Sequence, residues 1–512
     1  MKHTFIYTSI LALALSFTAC EDWTTEQTPG TTKLEDFFTS GEAAIFSVNG
    51  AYVPLQWEYN KTFYSEWFIG DVVSDDALKG GQTIDDMASV YDMENFKTIN
   101  NNDFLLDFYR GQYQGISRCN LALQEIPKMS PDTIMTAEIQ SRLIGELKFL
   151  RALYYFRLVR VFGDIPLVDK PILSSAEWKQ SYTPAAQVYN FIINDLQDAN
   201  KYLWKKSKYT AADLGRATKG AAQAMLLKAN LYTHNYPEAK KWGDSIIASN
   251  EYHLIDNYAN NFTLEGENGA ESVFEIQYTV DPTSDYNEGN GFTRGTFTTI
   301  LVRSRSSNLG GGWGFNKPTQ NLYDEFETGD PRRDAAILNP HDTLITNPNE
   351  EIYLGSRYLN RKYGMYDAGG QPITLTHESR GPLNNKVIRY ADVLLMYAEA
   401  CTETNDLAAA KNALEQVRAR ARGAESILPA FPYLSYADNQ ADLRKAVRHE
   451  RRVELAMEGH RWFDLCRWGV AKEVMNAYRA SETDEVRTHM NEFKDGDELF
   501  PIPSKEIDLN PR

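Results

Sequence analysis

The sequence predicts a mainly α-helical fold of tetratricopeptide-like helix pairs, with long loop-rich insertions and a little β structure. Three observations lead there. Apolar residues recur at helical spacing through a long stretch that ends near residue 163. Two Ala-rich helix–turn–helix units resemble each other at widely separated positions. Between them, about 255–385 is rich in Gly, Asn, Thr, Ser and aromatic residues.

The chain opens on Lys2 and His3, followed by the almost wholly apolar or small stretch Phe5 to Thr18. Its run Ile10-Leu11-Ala12-Leu13-Ala14-Leu15 suits a secretory signal, because a spanning helix needs roughly 20 apolar residues. Ser16-Phe17-Thr18-Ala19-Cys20 places small residues before a cysteine, which resembles a bacterial lipobox. Residues 1–19 then read as a lipoprotein signal peptide, Cys20 as the lipidated residue and 20–33 as a polar tether. The alternative is an ordinary cleavable signal with an incidental cysteine. The abrupt change to Glu21-Asp22-Trp23-Thr24 favours the tether. Nothing later is long and apolar enough to span a bilayer, so the membrane is reached through the lipid alone.

Residues 34–512 read as a single α-helical domain with insertions at about 60–100 and 255–385. The first carries Trp67, Gly70-Asp71, Asp75-Asp76 and Gly80-Gly81. Ile139, Leu143, Leu147, Leu150, Tyr154, Leu158 and Val161 then mark one continuous helix face, stopped by Gly163-Asp164-Ile165-Pro166. A helix over Thr218–Tyr232 is followed by a second one, opened by Tyr236-Pro237 and running to about Ser249. Met225-Leu226-Leu227-Lys228-Ala229 matches Leu394-Leu395-Met396-Tyr397-Ala398, and each precedes an alanine-bearing second helix. Small residues at the crossings are how such repeats stack. Within the second insertion, Ser272 to Tyr278 is the clear strand candidate.

The net charge of −17 argues against nucleic acid and against electrostatic binding to anionic lipid. It fits a neutral ligand or a protein partner. Cys119, Cys401 and Cys466 are odd in number and far apart, and read as buried free thiols. Without a CxxC motif no cysteine-built zinc site is expected, and no metal or cofactor is implied. His449-Glu450-Arg451-Arg452 runs into Val453 and is not HExxH. Gly215 to Gly220 has P-loop spacing, but Ala221-Ala222 stand where Lys-Ser/Thr is required. A glycosidase needs only two carboxylates placed by the fold, so 70 Asp and Glu leave that reading open.

Four segments carry a resemblance to a known family: Arg151 to Leu167 (RALYYFRLVRVFGDIPL), Arg389 to Ala400 (RYADVLLMYAEA), Glu450 to Gly469 (ERRVELAMEGHRWFDLCRWG) and Leu499 to Pro511 (LFPIPSKEIDLNP). In that order they resemble the SusD/RagB family of outer-membrane, nutrient-binding lipoproteins of Bacteroidetes, and the likeness spans the whole mature chain. It implies a SusD-like fold with four helix pairs beneath a looped ligand-binding face. It further implies a non-enzymatic role: capture of a glycan at the cell exterior and delivery to a SusC-like, TonB-dependent outer-membrane transporter. A peptide-binding receptor of the RagB kind is the alternative, followed by a surface glycoside hydrolase. The charges of these segments, Arg151, Arg157, Arg160, Glu450, Arg451, Glu454, Glu458, Arg461 and Asp464, are expected to pair with one another between helices, and Trp462 and Trp468 to pack in the core.

A sugar site needs aromatic platforms with Asp, Asn or Arg at the rim. Trp313, inside Gly310-Gly311-Gly312-Trp313-Gly314, is the leading platform, since flanking glycines would free the indole to project. The resemblance places contacts in this loop and near Asp75 and Asp76. Tyr286 and Phe292 are further aromatic candidates, and Arg303 and Arg305 could grip hydroxyls or an acidic sugar. Trp67 completes the set, although its near-helical setting also reads as core and Asp75-Asp76 also read as a turn cap.

Overall fold

The computed structural model of the chain describes residues 34–57, 65–280, 294–340, 352–375, 377, 380–423, 428–433 and 435–510. The leader, Cys20, the tether, Tyr286 and Phe292 lie outside the described residues. Among the described residues helix accounts for 55% and strand for 7%, so the mainly α expectation holds and the small sheets serve to pin loops.

The long helices are α1 (Gly41–Tyr52), α2 (Asp103–Glu125), α3 (Ala137–Phe162), α4 (Ala185–Tyr202), α5 (Lys219–Tyr232), α6 (Tyr236–Ala248), α7 (Tyr390–Glu403), α8 (Leu407–Arg422) and α9 (Gln440–Glu454). Their starts are written in the sequence. Thr136, Thr218, Asp406 and Asn439 each accept a hydrogen bond from a backbone N–H in the first turn, which satisfies an orphan donor. Gly163 ends α3 at φ 70°. The expected single apolar face of α3 proves too narrow: every residue from Phe149 to Val159 is buried. A helix covered all round lies at the centre of its layer, and α3 packs between α2 and α4. Contacts then pass from α4 to α5, α5 to α6, α6 to α7, and from α7 to both α8 and α9. The hairpins α5–α6 and α7–α8 are the two matching units of the sequence, with Ala229 and Ala398 fully buried.

Two short antiparallel ribbons fasten the insertions. Strand β1 (Ala77–Gly80) pairs with β3 (Phe315–Pro318), and β2 (Ser272–Ile276) pairs with β4 (Asn385–Arg389). The Trp67–Gly81 part of the first insertion is not a surface loop. Every residue from Trp67 to Gly81 is buried, and a Cβ on Gly70 would stand 2.0 Å from the Gly459 carbonyl oxygen. Only glycine lets this segment thread beneath the Glu450–Gly469 motif. Cys119, Cys401 and Cys466 are free thiols, the first two buried. Among the described residues, no helix is long and apolar enough to cross a membrane.

The family-defining charges do pair, but mostly with residues outside their own set. Arg151 meets Asp195 on α4, and Arg157 and Arg160 both reach Glu66. Arg389 joins Glu271 at 2.8 Å, Glu454 at 2.5 Å and Glu458 at 2.8 Å. Arg332 bridges Asp330, Glu450 and Glu454, while Arg418 and Arg420 close the cluster on Glu450, Glu271 and Glu454. Arg451–Asp464 stays within the expected set. These side chains are almost completely buried, with Arg332 at 0% and Arg389 at 1% exposure.

Removing one partner from such a cluster leaves the others desolvated and uncompensated. Arg389→Ala is expected to cost about 3–5 kcal/mol of stability. Lys472→Ala, which deletes an exposed pair with Asp495, should change stability by less than about 0.5 kcal/mol. Denaturant unfolding of the two variants reads the difference, and equal losses would refute a structural role for the cluster.

Candidate functional site

The β1–β3 ribbon brings the two insertions together. Ala77 faces Pro318, Leu78 faces Lys317 and Gly80 faces Phe315. The pairing continues at both ends, through Gly81 N–H to the Gly314 carbonyl at 2.9 Å and Thr319 N–H to the Asp76 carbonyl at 2.9 Å. Gly80 has φ 81°, and a Cβ there would lie 2.1 Å from the Gly314 oxygen. The glycines on either side of Trp313 therefore serve close backbone approach as much as freedom of the indole.

Trp313 is half-buried. Its ring stands edge-on to Phe297 at 5.3 Å and to Phe315 at 6.4 Å between centroids. The Trp313 backbone N–H donates to the Ile300 carbonyl at 2.9 Å, so the indole is carried on a fixed backbone with part of its surface in solvent. Arg305, also half-buried, lies over Gly314: a Cβ on that glycine would meet its Cγ at 3.0 Å. The Arg305 Nε has no hydrogen-bond partner among the described residues. A tethered, half-exposed indole is suited to stacking on an apolar ring face.

Four other sequence candidates occupy different roles. Trp67 is buried, stacks near Phe68 and donates from Nε1 to Thr298 at 3.2 Å. Arg303 is buried and donates to the carbonyls of Gly364, Met365 and Ile373 at 2.7, 3.0 and 2.7 Å, stapling the 361–373 segment beneath the glycine loop. Asp75 and Asp76 are buried too. Arg461 grips Asp75 through two bonds at 2.8 and 2.9 Å, and Arg452 spans Asp75 at 2.9 Å and Asp76 at 2.8 Å. These residues correct the expectation of ligand contact, because their polar atoms are engaged inside the molecule. Burial works against ionisation of Asp75, but Arg452 and Arg461 outweigh it and hold the carboxyl well below its usual range. Burial pushes Asp76 up, and the neighbouring Asp75 charge adds to that.

Three further residues position this ribbon without any clear sequence signal. Asp71 accepts from Asn316 on β3 at 3.2 Å and from the Gly459 N–H at 2.8 Å, and burial raises its carboxyl to about 7. Lys79 and Glu94 sit on the opposite side of β1, with the Lys79 N–H donating to Glu94 at 3.0 Å. All three lie in stretches whose composition reads as turn or solvated surface. No group of three or more His, Cys, Asp or Glu among the described residues is placed to hold a metal ion.

Comparison with known proteins agrees with the mainly helical fold. Residues 270–512 match the profile described as the SusD family, and residues 33–231 match that described as "Starch-binding associating with outer membrane". SusD-like protein P2 of Formosa agariphila is 26% identical, over 98% of this chain and 97% of its own. The structure of surface glycan-binding protein A from Bacteroides fluxus superposes with a TM-score of 0.78 at 25% identity, covering 92% of this chain and 97% of that one. A laminarin-binding SusD-like protein superposes at 0.75 with 27% identity, covering 92% and 98%.

Arg452 also bonds Glu325 at 3.0 Å, and Glu325 bonds His449 at 2.8 Å. Burial alone would lower the imidazole, but its contacts with Glu325 and Glu327 prevail and raise it from 6.5 to about 9. The folded state thus holds this proton more tightly than the unfolded chain. Its stabilisation is complete below pH 6.5 and is lost as pH rises through about 9. His449→Gln should remove up to about 1.4 kcal/mol per pH unit from the stability slope across that window. Unfolding free energies of both proteins at several pH values test this; identical slopes would overturn it.

Proposed function

Because the chain belongs to the SusD family, we propose that it is a cell-surface glycan receptor. It captures an oligo- or polysaccharide at the outer membrane and delivers it to a SusC-like, TonB-dependent transporter, acting by binding and not by bond cleavage. The observation that carries this reading is the half-buried Trp313, braced by Phe297 and Phe315 with Arg305 alongside. The indole offers a stacking face, and the guanidinium a set of donors for ring hydroxyls. A related protein named for binding laminarin makes neutral β-glucan the first ligand to try. The acidic balance of the chain is consistent with a neutral ligand.

The anchor in this proposal is Cys20. Cleavage before it leaves a thiol to carry lipid, and the acidic residues that follow resemble the signal for the outer face of the membrane. The receptor then stays beside its transporter while its binding face remains in water.

Isothermal titration with laminarin and soluble starch tests the ligand site. Trp313→Ala should weaken binding by about 1–3 kcal/mol, and an unchanged affinity in a folded variant would remove Trp313 from the site. Cys20→Ala should move the protein from the membrane fraction to the soluble fraction with its glycan affinity intact. Retention in the membrane would refute lipid anchoring at that residue.

A further inference from the structure

Lys79 is 0% exposed, yet among the described residues its ammonium meets no carboxylate within ion-pairing distance. A lysine is almost never buried without a partner. Here the partners are main-chain oxygens: Nζ donates to the carbonyls of Gly80 at 2.8 Å, Thr83 at 3.1 Å and Asp86 at 2.6 Å. Two aromatic faces complete the cage, with Phe315 at 5.5 Å and Tyr353 at 5.0 Å. One cation thus gathers both ends and the middle of the loop Gly80–Asp86. The Asp86 carboxylate closes the loop from above by accepting from the backbone N–H groups of Gln82 and Thr83.

This loop stands beside the Trp313 platform. Gly81 bonds Gly314, the neighbour of Trp313, and Phe315 contacts both the loop and the indole. Gln82, Thr83, Ile84 and Asp85 are exposed at its tip. We infer that Lys79 is a positioning residue for ligand capture, clamping this loop as a second wall of the site where Gln82, Thr83 and Asp85 meet ligand hydroxyls. The inference rests on the glycan-receptor reading and deepens it. An internal ammonium does what a bound cation would do for a carbonyl-lined turn, so the wall is rigid before the ligand arrives and less ordering is required on binding.

The groups facing this ammonium are Glu94, Asp85 and Asp86, with the Tyr353 ring above it. Burial lowers Lys79 to about 8, against the pull of Glu94, Asp86 and Asp85. Burial also raises Glu94, to about 7. Deprotonation of Lys79 removes one donor from a three-acceptor cage and ends the attraction of the rings. Affinity for glycan should therefore fall as pH rises from 7 to 9.

The test combines hydrogen exchange with titration of laminarin and soluble starch. Lys79→Met should speed amide exchange across residues 81–86, lower glycan affinity roughly tenfold and abolish its dependence on pH. The exposed triple variant Gln82→Ala/Thr83→Ala/Asp85→Ala should keep the fold and lose affinity to a similar degree, which decides the matter if Lys79→Met does not fold. Unchanged exchange in Lys79→Met would overturn the clamp. Unchanged affinity in either variant, while Trp313→Ala still weakens binding, would overturn the second wall alone. If Trp313→Ala has no effect, the receptor site itself is misplaced and the inference falls with it.

Discussion

A buried cluster of arginines and carboxylates along α9 is what the rest of the molecule is assembled around. Glu450, Glu454 and Glu458 lie on one side of it, and Arg332, Lys362, Arg389, Arg418 and Arg420 reach them from four separate parts of the chain. Taking any one of these charges out of water is costly, and it is tolerated only when all its partners are in place. The cluster therefore couples events far apart in sequence. The α7–α8 hairpin, the separate turns that carry Arg332 and Lys362, the strand β4 and the turn after α9 must all arrive before its charges are compensated. The handed-on bonds Arg452–Asp75 and Arg461–Asp75 extend the same logic to the first insertion.

This explains why loop-rich sequence becomes interior structure. Insertions of Gly, Asn, Ser and Thr bury little apolar area and would not order themselves. Here they are fixed by specific polar partners: Arg303 on three carbonyls, Asp71 on Asn316, Lys79 on the 80–86 turn. A loop face held this way is rigid at the backbone while its exposed tips remain polar. Preorganisation of that kind suits recognition of flexible, hydroxyl-rich chains, whose own ordering is the main opposing term.

The helical half of the fold was readable residue by residue. The stop at Gly163, the helices following Thr218 and opening at Tyr236, and the paired hairpins all follow from local rules, and the structure places them within a residue or two. The setting of the candidate residues was not. Trp313 and Arg305 are half-buried, with Arg305 packed over Gly314 at the head of β3. Asp75, Asp76, Trp67 and Arg303 look the same on paper, as aromatic or charged residues in polar loops, but they face inward. Nothing local distinguishes an aspartate that waits for a ligand from one gripped by Arg452 and Arg461, because those arginines lie more than 370 positions away.

By itself, then, the sequence determined the helix-pair scaffold and the family, since periodicity and contiguous motifs are short-range properties. Only the tertiary structure decided which charges are structural, that Trp67–Gly81 runs through the interior, and that Gly80 meets Gly314 to join two distant loops. Those outcomes depend on long-range pairing and burial. A charge or a glycine acquires its role from what the fold brings against it.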